Sequence, residues 1–107
     1  MTLKILRQIL KALGDDTRLR IVNLLIKEEL MVTDICLALR RNQPSVSKHL
    51  ERLRMTKIVN DRRDGNFIYY SLIQDPEIEK ILRFLMAEFT EVNAFRKDNE
   101  KLAALRN

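Results

Sequence analysis

A chain of 107 residues, 46% hydrophobic and 33% charged, has the material for one domain with a single modest core. Its longest apolar runs are a few residues, which excludes a bilayer-spanning helix, and Lys4, Arg7 and Lys11 interrupt the first apolar positions as no secretory leader would allow. One cysteine excludes an internal disulfide and fits a reducing compartment, so a cytoplasmic location is expected.

Net charge is +5, and its distribution is informative. Residues 1–39 carry +1 and residues 64–107 carry −2. The 24 residues from Arg40 to Arg63 hold eight cations against Glu51 and Asp61. A solvated basic patch is the plain interpretation; a polyanion partner is the sharper one.

Leu3, Leu6, Ile9, Leu10 and Leu13 recur at helical spacing, and Gly14 can end that helix. Asp15 or Asp16 can cap a second helix through Leu19, Val22, Leu25 and Ile26. A short third helix is expected over Val32–Leu39 with Thr33 as its N-cap, then a four-residue turn, Arg40 to Gln43. Asn42 can cap the next helix, with Pro44 in its first turn, where a missing N–H costs little. After Arg54 the period shortens: two β-prone runs flank Asp64-Gly65, a strong hairpin signal. Ile68, Tyr70 and Leu72 alternate onto one face, expected to be the core face. Asp75-Pro76 opens a single long helix to about residue 105, with Ile78, Ile81, Leu82, Leu85, Met86, Phe89 and Val92 along its stripe. The fold class is mainly α with a small β-hairpin: one domain, 1–107, with a helix-turn-helix over about 32–55, a wing over about 57–72 and a C-terminal helix over about 76–105.

On a wheel advancing about 100° per residue, Val46, Leu50 and Leu53 face the core, while Lys48 and Arg52 point away with Ser45 and Ser47 beside them. Gln43 sits at the tip. Short side chains at a helix tip let the backbone approach base edges in a DNA major groove, where Gln can pair bidentately with adenine. Lys48 and Arg52 could read guanine or hold phosphate. His49 flanks the apolar stripe and is a candidate either for DNA contact or for an interface satisfied by backbone. Arg62, Arg63 and Asn66 adjoin the hairpin turn and are candidate contacts of the wing. The C-terminal stripe is longer than a core of this size needs, so a second copy is expected to bury part of it.

Ala12 to Ile21, the segment Asn42 to Leu53 with its Ser-Val-Ser-Lys-His-Leu run, and Arg62-Arg63-Asp64-Gly65 leading to Tyr69-Tyr70-Ser71-Leu72 resemble the ArsR/SmtB family of winged-helix repressors. The resemblance spans about residues 10–72. It implies a homodimer built on the first and last helices, bound to a palindromic double-stranded DNA operator until an effector arrives. Leu3, Leu6, Leu10, Ile81, Leu82, Leu85, Phe89 and Val92 are the expected interface. Arsenic-sensing members carry Cys-Val-Cys-Asp-Leu-Cys where this chain has Met31-Val32-Thr33-Asp34-Ile35-Cys36, and zinc-type members use histidines that the last helix lacks. No metal site and no cofactor are therefore expected. Cys36 is expected to be a core residue, with a redox or effector role as the alternative. The effector, small molecule or metal, is unidentified.

One histidine and one cysteine in different helices, with no phosphate loop, argue against an enzyme. The alternative to a DNA-binding regulator is a winged-helix module that keeps the fold for protein interaction. The retained positive segment weighs against it.

Overall fold

Four side chains fix where helices begin. The Thr2 hydroxyl accepts from the Ile5 N–H, the Asp15 carboxylate from Arg18, the Asn42 carbonyl from Ser45, and the Asp75 carboxylate from Glu77 and Ile78. In the computed structural model, which describes residues 1–106, they open α1 (Leu3–Leu13), α2 (Asp16–Leu25), α4 (Gln43–Met55) and α5 (Pro76–Glu88). The two helices without a side-chain cap, α3 (Val32–Leu39) and α6 (Asn93–Leu105), are those whose starts differ from the sequence expectation.

For α3 the N-cap is Met31, and Thr33 lies exposed one residue inside the helix. Leu30–Met31 forms a short strand, β1, so sheet pairing instead of a capping hydroxyl sets the entry to α3. β1 pairs antiparallel with β3 (Phe67–Leu72), which also pairs with β2 (Val59–Asp64), giving the order β1-β3-β2. Gly65 is the first of the two residues linking β2 to β3, and its φ of 62° is what a type II′ hairpin turn needs there.

The single C-terminal helix is corrected to two. α5 ends at Glu88, Phe89 to Val92 turn the chain, and α6 folds back onto α2 and α3. A straight helix over 76–105 would run roughly 45 Å, beyond the 41 Å longest extent of the molecule. It would also leave Phe95 and Leu102 in water, whereas the bend buries both. Arg20 and Asp98 secure the return: Nε and Nη2 reach the two carboxylate oxygens at 2.7 and 2.9 Å, and Asp98 is almost fully buried. Asn23 adds a bond from its amide to Asn99 Oδ1 at 3.0 Å.

One apolar cluster draws on every helix, with Ile21, Ile35, Val46, Leu50, Leu53 and Leu82 closed from solvent. Leu82 is thus a core residue and not, as the stripe suggested, part of a subunit interface. Ile68, Tyr70 and Leu72 pack against the cluster from the wing, on the face expected for them.

Candidate nucleic-acid interface

The turn before α4 is Arg40–Asn42, with Gln43 already helical, and it is built without glycine. Arg40 takes φ 55° and ψ 47°, so that its N–H and that of Arg41 return to the carbonyls of Leu37 and Cys36 and close α3. At the other end of α4, Lys57 takes φ 58°, its N–H bonds Arg54 O, and the Ile58 N–H bonds Leu53 O at 2.9 Å. Among the described residues these are the two non-glycine residues with positive φ. Both are cations, and they bracket α4. Glycine would adopt that conformation more cheaply.

Between these brackets, Val46, Leu50 and Leu53 anchor α4 to the core. Lys48 and Arg52 are exposed on the opposite side with Ser47 exposed at its margin, Gln43 is exposed at the helix tip, and Ser45 is half-buried beside them. A shallow cleft runs along this face past Pro44, Ser45, Lys48 and Arg52, and one wall of it is Arg18 of α2. His49 turns toward that wall. Its Nδ1 lies 3.3 Å from Arg18 Nη1 and 3.5 Å from Asp15 Oδ2. Burial alone would raise the Asp15 carboxyl, but the Arg18 N–H and the His49 charge outweigh it and hold the group below its ordinary value. His49 therefore ties α4 to the start of α2, and it does not share the outward direction of Lys48 and Arg52. Arg18 also donates to Ala12 O. Sequence reasoning missed Arg18 because nothing in Gly14-Asp15-Asp16-Thr17-Arg18 signals that α2 and α4 meet.

Along the wing the two arginines part company. Arg62 shares the outer face with its cross-strand neighbour Tyr69, 4.3 Å from the ring centroid. Its guanidinium reaches past β3 to hold Glu29 at 2.8 and 2.7 Å. The paired guanidinium pulls the Glu29 carboxyl below the ordinary carboxylate range. Arg63 is exposed and has no ion-pair partner among the described residues, and Asn66 is exposed in the turn. Arg54 is likewise occupied, by Glu51. On the other flank, Arg7 and Lys11 of α1 share a cleft with Arg52 and so extend the basic surface onto α1.

The expected interface residues fall in separate places. Leu3, Leu6 and Leu10 line a depression on α1, with Leu3 82% and Leu10 54% exposed. Ile81 is half-buried. Leu85, Phe89 and Val92 line a groove at the α5–α6 bend. Phe84, which the stripe left out, is 63% exposed on the outer side of α5. Cys36 is half-buried in α3, and burial pushes its thiol up. Among the described residues no three His, Cys, Asp or Glu side chains converge as a metal-ligand set.

The family description "Bacterial regulatory protein, arsR family" matches residues 15–61, from the cap of α2 into β2. An Escherichia coli protein named arsenical resistance operon repressor is 39% identical over 100 residues, 92% of this chain and 79% of the relative. The chain belongs to the arsR family. Among solved structures of similar proteins, HlyU from Vibrio cholerae superposes with a TM-score of 0.77 at 28% identity, over 81% of this chain and 94% of that one. A Mycobacterium bovis protein, Mb0332, described as a homodimeric winged helix-turn-helix DNA-binding domain, gives 0.73 at 27% identity, over 83% and 82%. The arsR-family match ends before Arg62, so the wing arginines, α5 and α6 lie outside it.

Proposed function

We propose that this chain is a homodimeric, sequence-specific DNA-binding repressor that sets α4 into the major groove of an operator and the β2–β3 hairpin against the flanking backbone. One observation carries the reading. α4 is pinned to the core on one side, presents Lys48 and Arg52 to solvent on the other with Ser47 at the margin, and exposes Gln43 at its tip, within the segment that holds the chain's excess positive charge. The positive charge concentrated between Arg40 and Arg63 weighs against a protein-interaction module. Repression follows the name of the Escherichia coli relative, and a dimer follows the homodimeric description of Mb0332. The dimer is supported within this chain by the exposed leucines of α1 and by Phe84, apolar surface that an isolated subunit would leave in water. Two copies related by a two-fold would place their α4 helices about 34 Å apart on a palindromic site. DNA as partner puts the protein in the cytoplasm.

Within α4, Gln43 is the residue assigned to base readout, with Ser45 and Ser47 beside it, Lys48 and Arg52 at base edges or phosphates, and Arg63 and Asn66 on the wing. The test is a gel shift on the protein's own promoter and on random duplex, repeated across salt concentrations. Gln43→Ala is expected to cost about 1–3 kcal/mol on the operator and little on random DNA. Equal losses on both would reduce Gln43 to a backbone contact. Failure of the natural protein to prefer its promoter would favour the interaction module.

A further inference from the structure

Where α5 turns into α6 the surface opens into a groove of about 540 Å³, inside the roughly 300–1,000 Å³ range of small-molecule sites, with Phe89 and Val92 partly exposed along it. Its walls are apolar: Leu19 of α2, Leu85 and Met86 of α5, Phe89 and Val92 of the bend, and Phe95 of α6. Three charged residues touch it. Asp16 acts on Arg20, and Arg20 is already held by Asp98. Arg41 is left as the cation at the rim that has no ion-pair partner among the described residues. The N-terminus of α6 has no side-chain cap, and Ala94 and Phe95 of its first turn line the groove. Unbonded N–H groups there favour an anion, as Arg41 does. We infer that this groove binds a small apolar molecule bearing a single carboxylate, its hydrocarbon body among Leu19, Met86 and Phe95 and its carboxylate on Arg41, and that such a molecule weakens DNA binding.

The coupling rests on the proposed function and on where Arg41 stands. It lies two residues before Gln43, and its N–H closes α3 on Cys36 O at 3.1 Å. A carboxylate that engages its side chain removes one cation from the DNA-facing segment and pulls on the turn that aims α4. A second copy of the chain is the competing occupant. Phe84, and Leu3 and Leu10 on α1, give a second copy apolar surface away from the groove, while Phe89 and Val92 lie exposed in the groove itself, so the bulky variants below are the test that separates a small molecule from a second copy.

Decanoate and decan-1-ol, titrated calorimetrically into the DNA-free protein, test the site. One decanoate per chain is expected, with the alcohol binding about tenfold more weakly for want of the charge-assisted bond. Arg41→Gln should bring the two to equal affinity. Ala94→Phe and, separately, Val92→Trp add bulk at the wall and should each weaken decanoate at least about tenfold, while sedimentation still shows the natural oligomer. Decanoate should lower operator affinity, and operator should lower decanoate affinity by the same factor. No stoichiometric uptake, uptake indifferent to all three variants, unchanged operator affinity with decanoate bound, or a bulky variant that splits the dimer would each overturn the inference. Because uptake is read without DNA, loss of promoter preference in the natural protein would sink the repressor reading and leave the groove standing.

Discussion

Glu29 holds one of the two arginines that the proposed function sets against DNA from the wing. Arg62 is bound to it through two short bonds and lies over Tyr69, while Arg63, one residue on, faces solvent. Each phosphate neutralised releases counterions worth about 0.9 in the slope of log K against log salt. With two wings per dimer, Arg63→Ala should make the slope shallower by about 1.8, and Arg62→Ala should change it little. Glu29→Gln frees Arg62 and should steepen the slope by about 1.8, so that raising salt from 50 to 200 mM costs about twelvefold more affinity than in the natural protein. Fluorescence anisotropy on a labelled operator at several salt concentrations measures all three. The natural protein carries an internal control in pH. The Glu29 carboxyl lies below its ordinary value when paired, so the pair is intact above the ordinary range and is lost as pH falls through that lowered value. Protonated Glu29 no longer holds Arg62, and the natural protein should then approach Glu29→Gln. If Arg62→Ala and Arg63→Ala flatten the slope equally at neutral pH, Glu29 gives up Arg62 on binding and the distinction between the two arginines is wrong.

Arg40→Gly and Lys57→Gly should each raise thermal stability, by about 0.5–1 kcal/mol, because glycine meets no Cβ penalty at positive φ, while each weakens binding to all DNA sequences; stability lost on either substitution would show that the side chain holds the turn. Asp98→Asn leaves Arg20 without its carboxylate beneath α6 and should cost about 3 kcal/mol in urea denaturation, whereas Arg20→Met with Asp98→Leu should recover most of that; a cost under about 0.5 kcal/mol would mean that α6 is held by its apolar contacts alone. Leu10→Glu with Phe84→Glu should yield monomers in sedimentation and abolish tight operator binding, and a double variant that remains dimeric would move the subunit contact off α1 and the outer face of α5.

Legibility in the sequence tracked how local the determining interaction is. Asp15, Asn42 and Asp75 announce their helices because a cap acts within three residues. Val46, Leu50 and Leu53 announce which side of α4 is core because helical period alone decides it. The hairpin register follows from Gly65. What the sequence hid is set by partners far along the chain. Arg20 meets Asp98 across 78 positions, Arg62 meets Glu29 across 33, and His49 meets Arg18 across 31. Charge counting saw eight cations between Arg40 and Arg63 but could not see that Glu29 and Glu51 occupy two of them. The apolar stripe from Ile78 to Val92 continues with helical spacing through Phe95 and Leu102, so periodicity had no means of detecting a bend. Leu85 and Phe89, which the stripe ran straight through, line the groove at that bend.

The same contrast bears on what the protein responds to. Likeness to an arsenical resistance operon repressor runs along 92% of this chain, yet the response to trivalent arsenic is a property of a few thiols and not of the scaffold. A soft, three-coordinate metalloid is held by thiolates. At the start of α3 this chain offers a thioether at Met31, a hydroxyl at Thr33 and a single thiol at Cys36, which burial pushes up. The carbonyl of Cys36 closes α3 by accepting from Arg41, and its side chain packs against the core. Drawing the thiol outward to a metal would disturb that packing. The apolar acid inferred above asks nothing of Cys36: it would sit in the apolar groove at the α5–α6 bend and meet Arg41, a residue of the turn that aims α4.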